Sequence, residues 1–207
     1  MVIQQQMGQD ERTELLRQIR DEIVGLSSSP LYQERVNTGA YAVIGEGNHH
    51  ANIMFIGEAP GRNEAETGRP FCGVAGKILD ELLASAGIKR KDVYVTNILK
   101  DRPPMNRDPL PKEIEIYGPF LDRQIKIIQP GVIVTLGRFA MAYIMNKFKL
   151  GWLLKPISQI HGKIFNAKTP YGDVRIIPLY HPAVAVYKED MKAMLMQDFQ
   201  VLAQFAS

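Results

Sequence analysis

Short apolar runs alternate along the chain with segments whose apolar residues recur at helical spacing. The runs have the continuously apolar character of buried strands, and helical periodicity fills the intervals between them. A crossover helix is the usual connection between neighbouring parallel strands, so this alternation predicts an α/β sandwich with a central four-stranded parallel sheet. The predicted strands are 52–57 (NIMFIG), 92–97 (DVYVTN), 131–137 (GVIVTLG) and 174–180 (VRIIPLY).

Helical periodicity also defines the segments outside and between these strands. An amphipathic N-terminal helix is predicted over 10–26 and ends near the SSSP stretch. The segment after it shows no regular period, apart from a short edge strand and turn predicted at 40–48. The later helices are marked by Ile78, Leu79, Leu82 and Leu83; by Ile114, Ile116, Leu121, Ile125 and Ile128; by Met141, Ile144, Met145 and Phe148; and by Met191, Leu195, Phe199 and Leu202.

Length and composition indicate one domain over 1–207, because 207 residues with 45% hydrophobic content suit a single core. No stretch reaches the roughly 18 apolar residues that a membrane span needs, and the polar start lacks the apolar run of a signal peptide. We therefore expect an intracellular, cytoplasmic protein. The single cysteine, Cys72, excludes an internal disulfide framework and a cysteine-only metal site.

Charge is unevenly distributed along the chain although the formal net charge is only +3. Residues 1–88 hold 7 basic and 12 acidic residues, a net charge of −5, whereas residues 89–207 hold 18 and 10, a net charge of +8. One face could therefore attract a polyanion such as DNA. A solvated lysine-rich surface explains the charge equally well.

Ligands of parallel α/β sheets bind beyond the carboxyl ends of the strands, so the four strand ends are where chemistry is expected. They read GEAPG (57–61), Asn97 followed by ILKDRPP, GRFA (137–140) and YHPA (180–183). Each holds a polar or glycine-rich signal. They are predicted to converge on one cleft.

Single residues at these ends have ordinary explanations as well as functional ones. Glu58 could belong to a plain surface turn, Asn97 could cap a strand end, and His181 could be a structural histidine. An amide nonetheless suits the reading of a base edge, because it offers a donor and an acceptor together. The proline and glycine neighbours of Phe71 favour a position on the rim of the cleft over a position in the core.

A proline-rich basic loop, KDRPPMNRDPLP (100–111), follows the second predicted strand. Lys100, Arg102 and Arg107 on a rigid loop suit contacts with DNA phosphates, because little ordering is needed on binding. A solvated loop without function is the alternative.

The conjunction of these motifs is more specific than any one of them. GEAPG…GRPFxGxAG, DVYVTNILKxRPPxNRxPxP, PxVIVxLG and HPA, in this order and spacing, resemble the family 4 uracil-DNA glycosylases over roughly residues 26–205. The resemblance implies a four-stranded parallel sheet between helices. It also implies hydrolysis of the bond between uracil and deoxyribose, after the nucleotide is flipped out of single- or double-stranded DNA into a pocket.

The resemblance implies a role for each matching residue. Phe71 stacks on the uracil, Asn97 bonds its pairing edge, and His181 donates to O2 as negative charge grows on the leaving base. Glu58 stabilises the cationic sugar and helps to place water, while Gly57 and Ala59 shape the pocket floor. Ala59 and Gly61 stand where the best-known uracil glycosylase family has a water-activating aspartate and a tyrosine that excludes thymine. Water activation and thymine rejection are therefore the open steps.

The chain departs from the family pattern at its metal centre. Family 4 enzymes hold a four-iron, four-sulfur cluster on four cysteines. The matching positions here are Leu26, Ser29, Asp101 and Tyr117, so the resemblance predicts a variant without the cluster and without any metal. Packing by Leu26, Leu31 and Tyr117, together with hydrogen bonds from Ser29 or Asp101, is expected to hold the N-terminal helix against the basic loop instead.

The loop after His181 also differs from the family, which often places bulky leucine and arginine there to wedge into the duplex. Ala185, Val186 and Tyr187 make a smaller or differently shaped wedge, which favours single-stranded over paired DNA as the substrate. A monomer is expected.

Two rival functions use the same fold, and a third does not involve DNA. A relative that binds uracil-DNA covalently through a loop histidine is disfavoured, since 100–111 contains no histidine. A non-catalytic DNA-binding module is disfavoured by the joint presence of the four pocket residues. A nucleotide-handling protein is disfavoured by the absence of the GxxxxGK[ST] phosphate loop.

Overall fold

A twisted six-stranded sheet forms the centre of the protein in a computed structural model that describes residues 9–186 and 188–206. The strand order is β1-β3-β2-β4-β6-β5. The four inner strands are parallel, and the two edge strands, β1 and β5, pair antiparallel with their neighbours. The strands are β1 (Glu46–Gly47), β2 (Ile53–Gly57), β3 (Tyr94–Asn97), β4 (Val132–Leu136), β5 (Phe165–Thr169) and β6 (Gly172–Leu179).

Helices cover both faces of the sheet. They are α1 (Gln9–Val24), α2 (Pro30–Thr38), α3 (Arg62–Thr67), α4 (Val74–Ser85), α5 (Pro111–Ile128), α6 (Arg138–Lys147), α7 (Ile157–Ile160) and α8 (Glu189–Phe199). Over the described ranges, none of them is both long and apolar enough to cross a membrane.

The buried strands divide their side chains between two cores, as the period of two in a strand requires. Met54 and Ile56 of β2 pack into the core that includes apolar residues of α1, α5 and α6, whereas Ile53 and Phe55 pack into the core built with α4 and α8. Burial on both faces explains why the inner strands are continuously apolar. The predicted sandwich with four parallel strands is confirmed.

Four elements were not predicted from the sequence: α2, α3, α7 and β5. The segment after α1 was expected to be irregular, but it forms α2, with Ser29 as its N-cap and Pro30 at its first position. The strand β5 was not predicted, because only one of its five residues, Ala167, is buried and no apolar run marks it. The short edge strand expected within 40–48 is present as β1.

Candidate active site

A cavity of about 380 Å³ lies at the carboxyl ends of the parallel strands. Glu58 lines it directly after β2, Asn97 at the end of β3, and His181 after β6. Phe71, from the loop before α4, completes this group, and Ala59, Pro60 and Gly61 also line the cavity. The topology therefore brings together four side chains that are far apart in the sequence.

Phe71 forms a wall of this cavity in an unusual backbone conformation. Its φ of 50° lies in the left-handed region, which non-glycine residues rarely adopt and which clusters at functional sites. The side chain is only 7% exposed, and its ring centroid lies 5.5 Å from that of His181. The expected rim position is therefore wrong: the ring is buried and its free area faces the cavity.

Glu64 fixes the turn that carries Phe71, a role that the sequence did not suggest. Its carboxylate accepts hydrogen bonds from the backbone N–H groups of Cys72 at 3.0 Å and Gly73 at 2.9 Å. The available signal was a carboxylate inside a glycine-rich segment that precedes a helix, which is a typical partner for free helix N–H groups. Glu64 also lines the cavity.

Gly57 does not itself line the cavity but lies against two side chains that do, Asn97 and Phe71. A Cβ on Gly57 would lie 2.3 Å from Oδ1 of Asn97 and 2.7 Å from Cζ of Phe71, so only glycine fits. Asn97 is 1% exposed, yet Oδ1 has no hydrogen-bond partner among the described residues. Buried polar atoms are almost always paired, so this amide is free for a ligand.

Lys100 lies in the core, which contradicts the expected contact with phosphate. Its side chain is fully buried, and Nζ donates to Thr96 Oγ1 at 2.7 Å, Gln124 Oε1 at 2.6 Å and the Asn97 backbone oxygen at 2.7 Å. Burial lowers the pKa of this ammonium group well below its ordinary value. The lysine therefore anchors the backbone of Asn97 and does not face DNA.

His181 is a neutral hydrogen-bond donor at neutral pH. Desolvation by burial lowers its pKa to about 4, and the nearby Glu64 carboxylate only partly opposes that shift. Nδ1 accepts a hydrogen bond from the N–H of Ala183 at 3.2 Å. The proton of the neutral ring is therefore on Nε2, which leaves Nε2–H as the group that can serve a ligand.

At Glu58 the same cause, burial, shifts the pKa in the opposite direction. Its pKa is raised to about 7, mainly by burial and secondly by the Asp108 carboxylate, and Arg138 partly opposes the shift. A carboxylate with a pKa near neutrality can accept a proton during a reaction and still be ionised in a large fraction of molecules.

Arg107 and Arg102 lie on the basic loop beside the cavity. Arg107 also lines the cavity, and its guanidinium forms two hydrogen bonds with the buried Glu113 carboxylate, at 2.9 and 2.6 Å. Arg102 donates from Nε to Asn106 Oδ1 at 2.7 Å and borders a neighbouring depression. The positive charge of Arg107 is thus largely committed to the protein, whereas that of Arg102 has no carboxylate partner within the described residues.

The predicted wedge after His181 forms a short turn of 3-10 helix over Pro182–Val186. Ala185 is partly buried and packs on the α4 and α8 side of the core, while Val186 is 38% exposed. Tyr187 lies outside the described residues. Of the two described wedge residues, Val186 presents the more accessible apolar side chain.

Three of the four positions that correspond to family cysteines form one buried hydrogen-bonded chain. The hydroxyl of Tyr117 donates to Asp101 Oδ2 at 2.6 Å and lies 2.7 Å from Ser29 Oγ. Arg35 of α2 forms an ion pair with Asp101 at 3.0 Å. Leu26 packs at the edge of the same core. Hydroxyl, carboxylate and alkyl side chains supply no thiolate, so these residues do not fit an iron–sulfur cluster.

Within the described ranges, no group of three or more His, Cys, Asp or Glu side chains is arranged to hold a metal ion.

Comparison with known proteins agrees with this geometry. A family model described as the uracil DNA glycosylase superfamily matches residues 44–202, and the chain belongs to that superfamily. A type-4 uracil-DNA glycosylase of Archaeoglobus fulgidus is 44% identical over 92% of this chain and 93% of its own length. Type-4 enzymes of Sulfurisphaera tokodaii and Thermotoga maritima are 42% and 37% identical, over 92% and 94% of this chain and 84% and 96% of their own lengths. Within the superfamily the chain is thus similar to the type-4 members.

Proposed function

We propose that this chain is a uracil-DNA glycosylase, which hydrolyses the bond between uracil and deoxyribose and leaves an abasic site for base excision repair. The observation that carries the proposal is the single cavity lined by Glu58, Phe71, Asn97 and His181. A glycosidic bond inside the base stack is out of reach, so the nucleotide is flipped out into this cavity.

Recognition of uracil is assigned to Phe71 and Asn97. The Phe71 ring stacks on the flipped base, and the absence of a side chain on Gly57 makes room for the Asn97 amide and the Phe71 ring. The amide of Asn97 accepts from N3–H of uracil and donates to O4. Cytosine presents an acceptor at N3 and a donor at N4, so it would leave the buried amide mispaired, which strongly disfavours its binding.

Bond cleavage is assigned to His181 and Glu58. As the C1′–N1 bond breaks, its electron pair moves onto the base and is delocalised to O2, where Nε2–H of His181 donates a hydrogen bond. A neutral imidazole suffices, and its low pKa avoids burying a cation. The oxygen of a water molecule bonds to C1′, and the Glu58 carboxylate first offsets the charge of the sugar and then accepts the proton from that water.

We further infer that the protein works without an iron–sulfur cluster. The hydrogen bonds among Ser29, Tyr117 and Asp101, with the Arg35 ion pair, already connect the N-terminal helices to the basic loop and α5. Iron content and the visible absorption spectrum of the purified protein test this. The inference predicts a colourless protein without bound iron, and near-stoichiometric iron would contradict it.

An intracellular monomer is the proposed working form. Its support is that all four pocket residues belong to one chain and face one cavity.

The experiment that tests the function compares the wild type with His181→Ala on uracil-containing single- and double-stranded oligonucleotides. Alkaline cleavage of abasic sites measures base release. The variant should lose roughly 10²–10³-fold in rate, as is typical when a donor aimed at developing charge is removed, while it keeps its DNA affinity. His50→Ala, an exposed histidine in the turn before β2, is the matched control and should behave as the wild type.

The same experiment separates the rivals. A pure binding module would release no base in either form. A covalent binder would produce a shifted protein–DNA band on denaturing gels, and the hydrolytic mechanism predicts no such band.

A further inference from the structure

Met105 is an exposed apolar residue on the loop that borders the active-site cavity. It is 92% exposed, more than any other large hydrophobic residue over the described part of the chain. Its loop neighbours Pro103, Asn106 and Arg107 all line the cavity. A fully solvated methionine gains nothing from packing within the protein, so folding alone does not explain its presence here.

The backbone at Met105 is held in a conformation that costs stability. Its φ is 56°, and that of the next residue, Asn106, is 53°. Two consecutive non-glycine residues in the left-handed region are unusual, because the Cβ atom approaches the backbone there. Residues in such conformations persist where the surroundings determine them, and they cluster at functional sites.

The loop is fixed on both sides of Met105. Asn106 is bonded by the Arg102 guanidinium at 2.7 Å, and its N–H donates to the Pro103 oxygen at 3.1 Å. Arg107 is held by two hydrogen bonds to Glu113, whose carboxylate is fully buried. The methionine is thus presented to solvent on a fixed backbone, and little backbone entropy is lost when it meets a partner.

We propose that Met105 is a wedge that inserts into the base stack of duplex DNA beside the flipped uridine. This rests on the proposed function and extends it to a second loop, because the residues after His181 offer only limited bulk. Proteins that unstack DNA often insert an apolar side chain, methionine among them, between base steps. The inserted side chain fills the space left by the extruded base and holds the duplex open.

The experiment measures uracil release by Met105→Ala, Met105→Gly and Met105→Leu on matched duplex and single-stranded oligonucleotides. The wedge predicts a fall of about tenfold in kcat/KM on duplex DNA for Ala and Gly, and a change below about twofold on single strands, since only the duplex must be unstacked. Met105→Leu should retain duplex activity.

A second readout does not depend on hydrolysis. A duplex with a non-hydrolysable 2′-fluorinated uridine and a neighbouring 2-aminopurine becomes more fluorescent when the neighbouring step is unstacked. The wild type should raise the fluorescence on binding, and Met105→Ala should not. If the wild type released no uracil from any substrate, the proposed function would be wrong, but the 2-aminopurine fluorescence would still test the wedge.

Two control variants separate the wedge from backbone strain and from general surface changes. Lys149→Gly relieves a comparable φ of 60° in the segment after α6, and Trp152→Ala removes a side chain that is 80% exposed. Helix α6 starts beside the cavity, at the carboxyl end of β4, and runs away from it. Lys149 and Trp152 follow α6, so they lie toward the opposite ends of the strands from the cavity. Met105→Gly and Lys149→Gly should both raise the urea midpoint of unfolding, but only Met105→Gly should lower duplex activity.

The proposal is overturned if Met105→Ala leaves the ratio of duplex to single-strand activity unchanged. It is also overturned if both activities fall equally, since Met105 would then shape the uracil pocket and not act on the duplex.

Discussion

We expect Glu58 to determine the pH dependence of base release. Its pKa of about 7 means that the ionised form, to which we assign stabilisation of the sugar cation and acceptance of the proton of water, becomes dominant only above neutrality. We expect kcat to rise with pH through about 7 and then to level off, because His181, with a pKa of about 4, is neutral over this whole range. Glu58→Gln should lower kcat by roughly 10²-fold or more and remove this rise. An unchanged profile in the variant would exclude Glu58 as its origin.

The same carboxylate reduces stability at high pH. Its pKa is 4.5 when unfolded and about 7 when folded, so the folded state binds the proton more tightly. The free energy of unfolding therefore falls as pH rises from 4.5 through 7, by roughly 2–3 kcal/mol once Glu58 is ionised. Glu58→Gln should be more stable than the wild type at pH 8 and nearly equal to it at pH 4.5, in urea denaturation. Equal stability at both pH values would contradict the burial of this charge.

Residue identity in the pocket could be predicted from the motifs, but the environment of individual side chains could not. Phe71 was expected on a rim because proline and glycine surround it, whereas its left-handed φ of 50° turns the ring inward. Lys100 was expected to contact phosphate because it belongs to the proline-rich basic loop, 100–111. It is buried because three side-chain and backbone oxygens, brought together by β3 and α5, receive its ammonium group. Such sets of acceptors arise only from tertiary structure.

The buried chain of Ser29, Tyr117, Asp101 and Arg35 joins α2, α5 and the basic loop, and Arg35 also donates to the backbone oxygens of Ile23 and Val24 in α1. Tyr117→Phe removes the hydroxyl that bonds both Ser29 and Asp101, and it leaves polar atoms unpaired in the core. We expect the free energy of unfolding to fall by about 2–3 kcal/mol. Tyr143→Phe is the matched control, because it removes a 2.9 Å bond to Asp122 at a partly exposed site, and it should cost less than about 1 kcal/mol.

The denaturation experiment also tests whether this chain connects the elements. Asp101→Asn leaves Arg35 as a buried charge without its ionic partner, and it should cost more than Tyr117→Phe. If both variants were as stable as Tyr143→Phe, the elements would be held by apolar packing alone.

Elements with strong periodicity were predictable, and those specified by capping or by pairing were not. The inner strands were found because both faces are buried, so they read as apolar runs. The helix α2 was missed because the Ser29–Pro30 pair was interpreted as the end of α1, whereas serine followed by proline also starts a helix. The strand β5 follows from antiparallel pairing with β6, which its mostly exposed residues do not reveal.

At the scale of the whole molecule, the cavity combines residues from the acidic and the basic parts of the chain. Glu58 and Phe71 come from the acidic part of the chain, 1–88, and Asn97 and His181 come from the basic part, 89–207. Because the inner strands are parallel, both pairs of residues lie beside the carboxyl ends of the strands. The arrangement puts an acid with a raised pKa and a neutral hydrogen-bond donor in one small cavity, with Arg107 of the neighbouring loop beside them.

The basic loop should therefore set the salt dependence of DNA binding, and Arg102 is its least committed cation. Arg102→Ala should weaken binding to uracil-free single strands regardless of sequence. It should also make the slope of log K against log salt concentration shallower by roughly 0.7, as expected for one lost phosphate contact. Lys126→Ala is the control, because this exposed lysine lies near the end of α5 that leads into the start of β4, at the edge of the sheet away from the cavity. It should leave the slope unchanged. Fluorescence anisotropy across a salt series measures both slopes, and an equal effect of the two variants would mean that net charge, and not the loop, guides the strand to the cavity.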